Sequence, residues 1–145
     1  MTVAFRNVSS RPSDPVKSWS TEAVQAALER GGLAEWRLLV EAVGADPWGR
    51  TARQIEEVLD HSRPFGTAEL LERAIEAARA RTAAEERAAV AAELRELVRR
   101  SGLLQADFAR RLGTSASRMS SYVNGAVVPS ATLMVRARNL RGNRS

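Results

Sequence analysis

Cysteine is absent from the 145-residue sequence, which excludes disulfide bonds and thiolate metal sites and is compatible with a reducing compartment. Histidine occurs once, at His61, and the sequence offers no second ligand for a metal beside it. We find no nucleophile–base arrangement and no glycine-rich phosphate loop. The sequence therefore predicts a protein that is not an enzyme and that has neither a cofactor nor a metal site.

Long apolar segments are missing as well. No apolar run approaches the ~20 residues that a membrane-spanning helix needs, and the N-terminus has no apolar core of a secretory signal. No segment alternates between apolar and polar residues in the way a half-buried strand does. These absences predict an all-α, cytoplasmic protein with no membrane association.

Positive charge is unevenly placed along the chain, and all of it except Lys17 is arginine. Residues 1–82 carry 11 Arg or Lys and 12 Asp or Glu, net −1, whereas residues 83–145 carry 11 Arg and 5 acids, net +6. From Arg99 onward nine arginines are accompanied by one acid, Asp107. A basic block beside a nearly neutral one indicates a polyanionic partner for the C-terminal end only.

The N-terminal half is predicted to contain an irregular lead-in over residues 1–18 and a module of short helices over residues 19–82. Phe5 and Val8 are apolar residues of the lead-in that are able to anchor part of it. Its residues typical of irregular structure are Asn7, Ser9, Ser10, Pro12, Ser13, Asp14 and Pro15. Capping residues, glycine and proline divide the module. They predict a helix from Ser20-Thr21 to Gly31-Gly32, a second over Leu33–Val43 stopped by Gly44, a third beginning at Asp46-Pro47, and a fourth capped by Thr67.

A long helical pattern connects this module to the C-terminal domain. No glycine or proline interrupts the sequence from Thr67 to Ser101, so one helix of roughly 50 Å is possible at 1.5 Å per residue. The segment Thr82–Glu85 also fits a capping box, which favours a break near residue 82. Both alternatives remain open at this stage, and the domain boundary is placed near residue 82.

Two short helices with a tight turn are predicted between Leu104 and Gly125. Gly113 suits the left-handed end of the first helix, and Ser115 or Thr114 can cap the second. Helices joined by such a short turn form a helix-turn-helix. The apolar faces are expected to contain Leu104, Phe108, Ala109 and Leu112 on the first helix and Met119, Tyr122 and Val123 on the second, and Ser130 is expected to cap a last helix with Leu133, Met134, Ala137 and Leu140.

This stretch resembles the helix-turn-helix domain of the Xre/Cro-like family of phage and bacterial repressors. The resemblance covers residues 94–140 and holds without a gap from Gly102 to Pro129. It implies a compact helical domain that places the second helix of the motif in the DNA major groove. The residues that carry it are Gly102-Leu103, Gln105, Phe108-Ala109, Leu112-Gly113, Ser115, Met119-Ser120, Tyr122, Asn124-Gly125 and Pro129-Ser130.

The resemblance also implies residue roles. Ala116, Ser117 and Ser121 match the base-facing positions. The chemistry of Arg118 suits either guanine or a phosphate, and the sequence leaves both alternatives open. Gln105 and Asn124 match contacts to the DNA backbone, and the helix N-terminus at Gln105 offers free N–H groups to a phosphate. The further candidates for phosphate contacts are Ser115, Arg99, Arg100, Arg110, Arg111, Arg136 and Arg138.

Together these features predict a sequence-specific DNA-binding transcriptional regulator, most simply a repressor, which binds double-stranded operator DNA as a homodimer. Residues 19–82 are expected either to dimerise the protein or to dock a second protein. Small helix-turn-helix proteins with an extra helical domain are similar to antitoxins, which repress their own operon and neutralise a toxin. The sequence does not decide between these roles, and it does not determine the operator or an effector.

Overall fold

A computed structural model of the chain describes residues 10–11 and 13–140, and the apolar residues Phe5 and Val8 of the predicted lead-in lie outside them. Within this range the chain forms α-helices and one short 3-10 helix and contains no strand, so the all-α prediction is confirmed. After the 3-10 helix Val16–Ser18, the helices are α1 (Thr21–Arg30), α2 (Leu33–Ala45), α3 (Arg50–Leu59), α4 (Thr67–Ser101), α5 (Gln105–Leu112), α6 (Ala116–Val123) and α7 (Ala131–Asn139).

The chain divides into two compact units, Met1–Thr82 and Ala83–Ser145, each with its own cluster of buried apolar side chains. Helix α4 contributes residues to both units. Residues Thr67–Ser101 form one helix, which is one of the two alternatives that the sequence left open. Thr82 lies inside this helix. The backbone N–H groups that follow it already bond to carbonyls of the preceding turn, so the predicted capping box does not form.

The first unit is built around Trp19, which is completely buried. Its Nε1–H donates to Asp14 O at 3.0 Å, and its own carbonyl accepts from Gln54 Nε2 at 2.8 Å. Ser20 caps α1, as predicted, by accepting a hydrogen bond from the Ala23 N–H. The largest other side chains that are fully buried in this unit are Val24, Leu28, Leu39, Val43, Ile55, Val58 and Leu71.

The predicted start of the third helix is wrong. Asp46 caps the C-terminus of α2, and a turn closed by the Gly49 N–H on Asp46 O at 3.0 Å separates it from α3, which begins at Arg50. Proline suits the second position of such a turn as well as it suits the first turn of a helix. A Cβ on Gly49 would lie 2.1 Å from Asp46 Oδ2, so a larger residue there would require the Asp46 side chain to move.

Gly44 does not end α2, which continues to Ala45. Glycine ends a helix readily where the backbone turns left-handed, and Gly44 is not one of the positive-φ glycines of the described residues. Its place inside the helix costs about 0.5–1 kcal/mol relative to alanine. Val43, buried completely beside it, contributes apolar packing that opposes this cost.

The second unit has a core formed by the end of α4 and by α5, α6 and α7. Leu104 is the exception to the predicted apolar face: it occupies the N-cap position of α5, and 75% of its surface is exposed. Residues at the N-cap have non-helical backbone angles, so the helical periodicity of α5 does not extend to Leu104. The buried members of this core are Leu94, Phe108, Ala109, Leu112, Met119, Val123, Leu133, Met134 and Ala137.

Candidate nucleic-acid interface

The N-terminus of α5 has no side-chain cap. Leu104 cannot accept a hydrogen bond through its side chain, and the first backbone bond of the helix runs from the Phe108 N–H to Leu104 O at 2.9 Å. The N–H groups of residues 105–107 therefore have no acceptor within the helix. Gln105, the first residue of α5, is exposed beside them. Free N–H groups and an exposed amide make this helix end suitable for a phosphate.

The turn between α5 and α6 has the geometry that the sequence predicted. Gly113 is left-handed with φ +80°, and its N–H donates to Arg110 O at 3.1 Å. The Thr114 N–H donates to Ala109 O at 3.0 Å, which completes a Schellman motif. Because this motif bonds the last carbonyls of α5 internally, it fixes the direction in which the chain enters α6.

Helix α6 has an apolar face and a polar face. Ser115 caps it by accepting from the Arg118 N–H at 3.1 Å, as predicted. Met119 and Val123 are buried in the core, and Tyr122 packs against them. The candidate base-contacting residues lie on the remaining surface: Ala116, Ser117 and Arg118 are exposed, and Ser121 is half-buried.

The hydroxyl group of Ser121 is oriented by its own helix. Its Oγ donates to Ser117 O at 3.3 Å, which leaves the lone pairs of the oxygen available to accept a hydrogen bond. One turn further on, Asn124 is the exposed C-cap of α6, and its Nδ2 donates to Ser120 Oγ at 3.4 Å. Both candidate side chains thus lie outside the core with capacity for an external partner.

The candidate arginines differ in their ion pairs. Arg99 and Arg100 both contact Glu96, with Arg99 Nη2 2.6 Å and Arg100 Nε 2.9 Å from Glu96 Oε1. Hydrogen bonds from Arg99 and then Arg100 lower the pKa of Glu96 to about 2. Two further pairs involve Arg110 with Asp107 at 3.5 Å and Arg138 with Glu93 at 2.7 Å.

Arg111 and Arg118 have neither an ion pair nor a side-chain hydrogen bond within the part of the chain that the model describes. Both are exposed, one near the end of α5 and the other in the first half of α6. The paired arginines are also accessible, since the side chains of Arg99 and Arg100 are 71% and 69% exposed. Surface ion pairs contribute only about 0–1 kcal/mol to the free energy of folding, so a phosphate can replace the glutamate with little loss of stability.

Two arginines of the basic block bond to carbonyls at the ends of the motif helices. Arg136 Nη1 donates to Leu112 O, the last residue of α5, at 3.4 Å. Arg95 Nη1 donates to Val123 O, the last residue of α6, at 2.5 Å. Arg136 is one of the candidates for phosphate contacts that the sequence predicted. Arg95 was not identified from the sequence. No local pattern identifies such a pair, because its two residues lie 28 positions apart.

Residues 89–140 match a family model described as a helix-turn-helix domain. The C-terminal part of the chain is therefore a helix-turn-helix domain, in agreement with the resemblance to Xre/Cro-like repressors, and this class of domain indicates a DNA-binding regulator. No curated protein and no solved structure matches the chain.

The described residues lack a membrane-spanning helix and a metal-binding cluster. None of their helices is both long enough and apolar enough to cross a membrane. Over residues 10–11 and 13–140, no group of three or more His, Asp or Glu side chains is arranged to hold a metal ion. The surface of α5 and α6, the candidate site predicted from the sequence, lies within the matched residues 89–140.

Proposed function

We propose that the protein is a cytoplasmic transcriptional regulator, most simply a repressor, which binds operator DNA as a homodimer with α6 in the major groove. The observation that carries this proposal is the division of α6 into a buried apolar face and an exposed face of small polar side chains. A helix of this kind can approach base edges closely without disturbing the core that holds it.

Base contacts are assigned to Ala116, Ser117, Arg118 and Ser121. The Ser121 oxygen, whose proton is directed to Ser117 O, suits a donor such as the amino group of adenine or cytosine. Ala116 suits a thymine methyl group, and Arg118 suits guanine. Small side chains discriminate weakly between bases, so DNA shape and half-site spacing are expected to supply much of the specificity.

Phosphate contacts are assigned to the two ends of the motif and to the surrounding arginines. Gln105 and the free N–H groups of α5 form one contact, and Asn124 at the end of α6 forms another. Arg111 is available without breaking an ion pair. The remaining assigned contacts are Ser115, Arg99, Arg100 and Arg110.

The experiment that tests this proposal is selection of bound duplexes from a random pool by the full-length protein. We expect enrichment of a two-fold symmetric sequence with half-sites about 34 Å apart, or a multiple of that distance. Affinity for the selected duplex should fall steeply with salt, because each neutralised phosphate contributes about −0.9 to the slope of log K against log salt. Failure to enrich any sequence, or binding that salt does not weaken, would contradict the proposal.

A dimer is part of the proposal because a single small domain buries little DNA surface, and a two-fold pair on two half-sites is the common solution. We assign dimerisation to residues 19–82 and expect light scattering to give twice the mass of the chain. A monomeric mass at the concentrations that bind DNA would contradict this assignment.

The second candidate function is that of an antitoxin, which neutralises a toxin through residues 19–82 and represses its own operon. Apolar side chains exposed on the first unit are available to a second protein: Phe65 is fully exposed, and Leu33 is 67% exposed. Co-expression with the product of the neighbouring gene distinguishes the two functions. A stable complex that suppresses toxicity supports an antitoxin, whereas a homodimer that purifies alone supports a plain regulator.

A further inference from the structure

The last carbonyl group of α6 is bonded by a side chain from another helix. Val123 O accepts from Arg95 Nη1, although Arg95 lies on α4, 28 residues earlier. The carbonyls of residues 120–122 accept from backbone N–H groups of the turn that follows α6. Among the described residues, the donor to Val123 O is the Arg95 guanidinium rather than a backbone N–H.

This contact is favourable for two physical reasons. The C-terminus of a helix carries a partial negative charge, so a guanidinium placed there stabilises it. A hydrogen bond from a charged donor is also roughly twice as strong as one between neutral groups. Val123 is only 6% exposed, and its carbonyl bond to Arg95 is partly buried, so water competes weakly for it.

The end of α6 lies directly on α4. Arg95 lines a groove of about 360 Å³ between α4 and the residues that follow α6, including Asn124 and Gly125. A Cβ built on Gly125 would lie 3.8 Å from the Cβ of Ala91, an ordinary van der Waals distance. Small residues thus bring the two segments together, and Arg95 supplies the polar bond between them.

We propose that Arg95 is a positioning residue for DNA recognition, which fixes the C-terminal end of α6 on α4 without contacting DNA. This inference rests on the proposed function. Val123 is the last residue of α6, so loss of the anchor shifts the last turn of the helix and with it the base contact assigned to Ser121. A binding site requires its groups to be held within about 0.5 Å of the productive geometry.

A positioning role and a phosphate contact predict different measurements. Loss of a phosphate contact weakens binding to all sequences alike and reduces the salt slope by about 1. Loss of a positioning residue weakens binding to the selected sequence, while binding to unrelated DNA and the salt slope remain unchanged. The ratio of specific to non-specific affinity is therefore the informative quantity.

The test uses the full-length protein, the duplex that the wild type selects from a random pool, and an unrelated duplex of equal length. Arg95→Met is expected to lower affinity for the selected duplex about tenfold, the effect of losing one charge-assisted hydrogen bond. Affinity for the unrelated duplex and the salt slope should be unchanged. Arg95→Lys, which keeps a charged donor, should restore most of the specific affinity.

Arg87→Met is the matched control. Arg87 lines the same groove on the same helix and has no ion pair or side-chain hydrogen bond within the described residues. The substitution removes the same charge without removing an anchor, so the affinity ratio should stay at the wild-type value. Amide hydrogen exchange should increase at residues 120–127 in Arg95→Met and not in Arg87→Met.

Three results would overturn the inference. Equal losses on both duplexes with a smaller salt slope would make Arg95 a phosphate contact, and an unchanged ratio in a folded Arg95→Met protein would remove any role in recognition. If Arg95→Met does not fold, the same comparison is made with Arg95→Ala, which removes the donor and has the highest helix propensity. A wild-type protein that selects no sequence would refute the proposed function and this inference with it.

Discussion

Replacement of Gln105, Ser117 and Ser121 together by alanine is expected to abolish sequence-specific DNA binding and to leave the fold intact. The physical reason is that all three polar groups face away from the core: Gln105 and Ser117 are exposed, and Ser121 is half-buried. Each of the three groups contributes a hydrogen bond of about 1 kcal/mol, two of them to bases and that of Gln105 to a phosphate, so their joint loss should lower specific affinity about 100-fold. Competition binding on the selected duplex measures the effect.

Non-specific binding separates this outcome from a general loss of affinity. The arginines of the basic block are unchanged in the triple variant and the lost phosphate contact of Gln105 is uncharged, so its affinity for unrelated DNA should fall only a few-fold. Asn139→Ala, at an exposed polar position on α7, serves as the control and should bind like the wild type. A triple variant that folds normally and keeps its specific affinity would show that α6 is not the recognition helix.

The substitution Phe108→Ala is expected to unfold the second unit or to leave it barely stable. Phe108 is 1% exposed in the centre of that core, and removal of a buried phenylalanine side chain costs about 3–5 kcal/mol. Domains of this size have a total free energy of unfolding of only about 5–15 kcal/mol. Urea denaturation followed by circular dichroism should show the loss directly, and DNA binding should disappear with the fold.

Phe65→Ala is the matched control for Phe108→Ala, because it also truncates a phenylalanine to alanine but at an exposed position. Phe65 is fully exposed in the turn before α4, so its truncation should alter the free energy of unfolding by no more than about 0.5 kcal/mol. DNA binding should remain, because the change lies outside the second unit. Similar stability of the Phe108→Ala and Phe65→Ala proteins would contradict the burial described for Phe108.

Features that depend on neighbouring residues were predicted from the sequence. Ser20, Ser115 and Ser130 cap their helices, and Gly113 is left-handed, because each of these contacts is made within about four residues. The apolar spacing of α6 likewise identifies its buried face. Local chemistry was therefore sufficient to predict the helix-turn-helix, although the roles of individual residues on DNA remain predictions.

Errors arose where one local signal serves two structures. Asp46-Pro47 suits both a turn and the start of a helix, and the contact of Asp46 with Gly49 decides for the turn. Leu104 continues the apolar spacing of α5, but its backbone belongs to the N-cap. Neither outcome follows from composition or periodicity.

Contacts between distant residues were beyond prediction from a single sequence. Arg95 reaches Val123 across 28 residues, and Arg138 pairs with Glu93 across 45. Arginines of the basic block were predicted to bind phosphate, and the folded unit shows that several of them also hold its helices together. Charge alone does not separate these two uses, because a guanidinium is suited to both.

The two faces of α6 have a consequence for engineering. Ala116, Ser117 and Arg118 contribute no side chain to the buried cluster, whereas Met119 and Val123 hold the helix in place. A combinatorial library at residues 116–118 can therefore sample larger side chains at the proposed base contacts with little loss of stability, since exposed substitutions usually change it by about 0.5 kcal/mol or less. Under the proposed function, such a library would change the target sequence of the domain while its core remains constant.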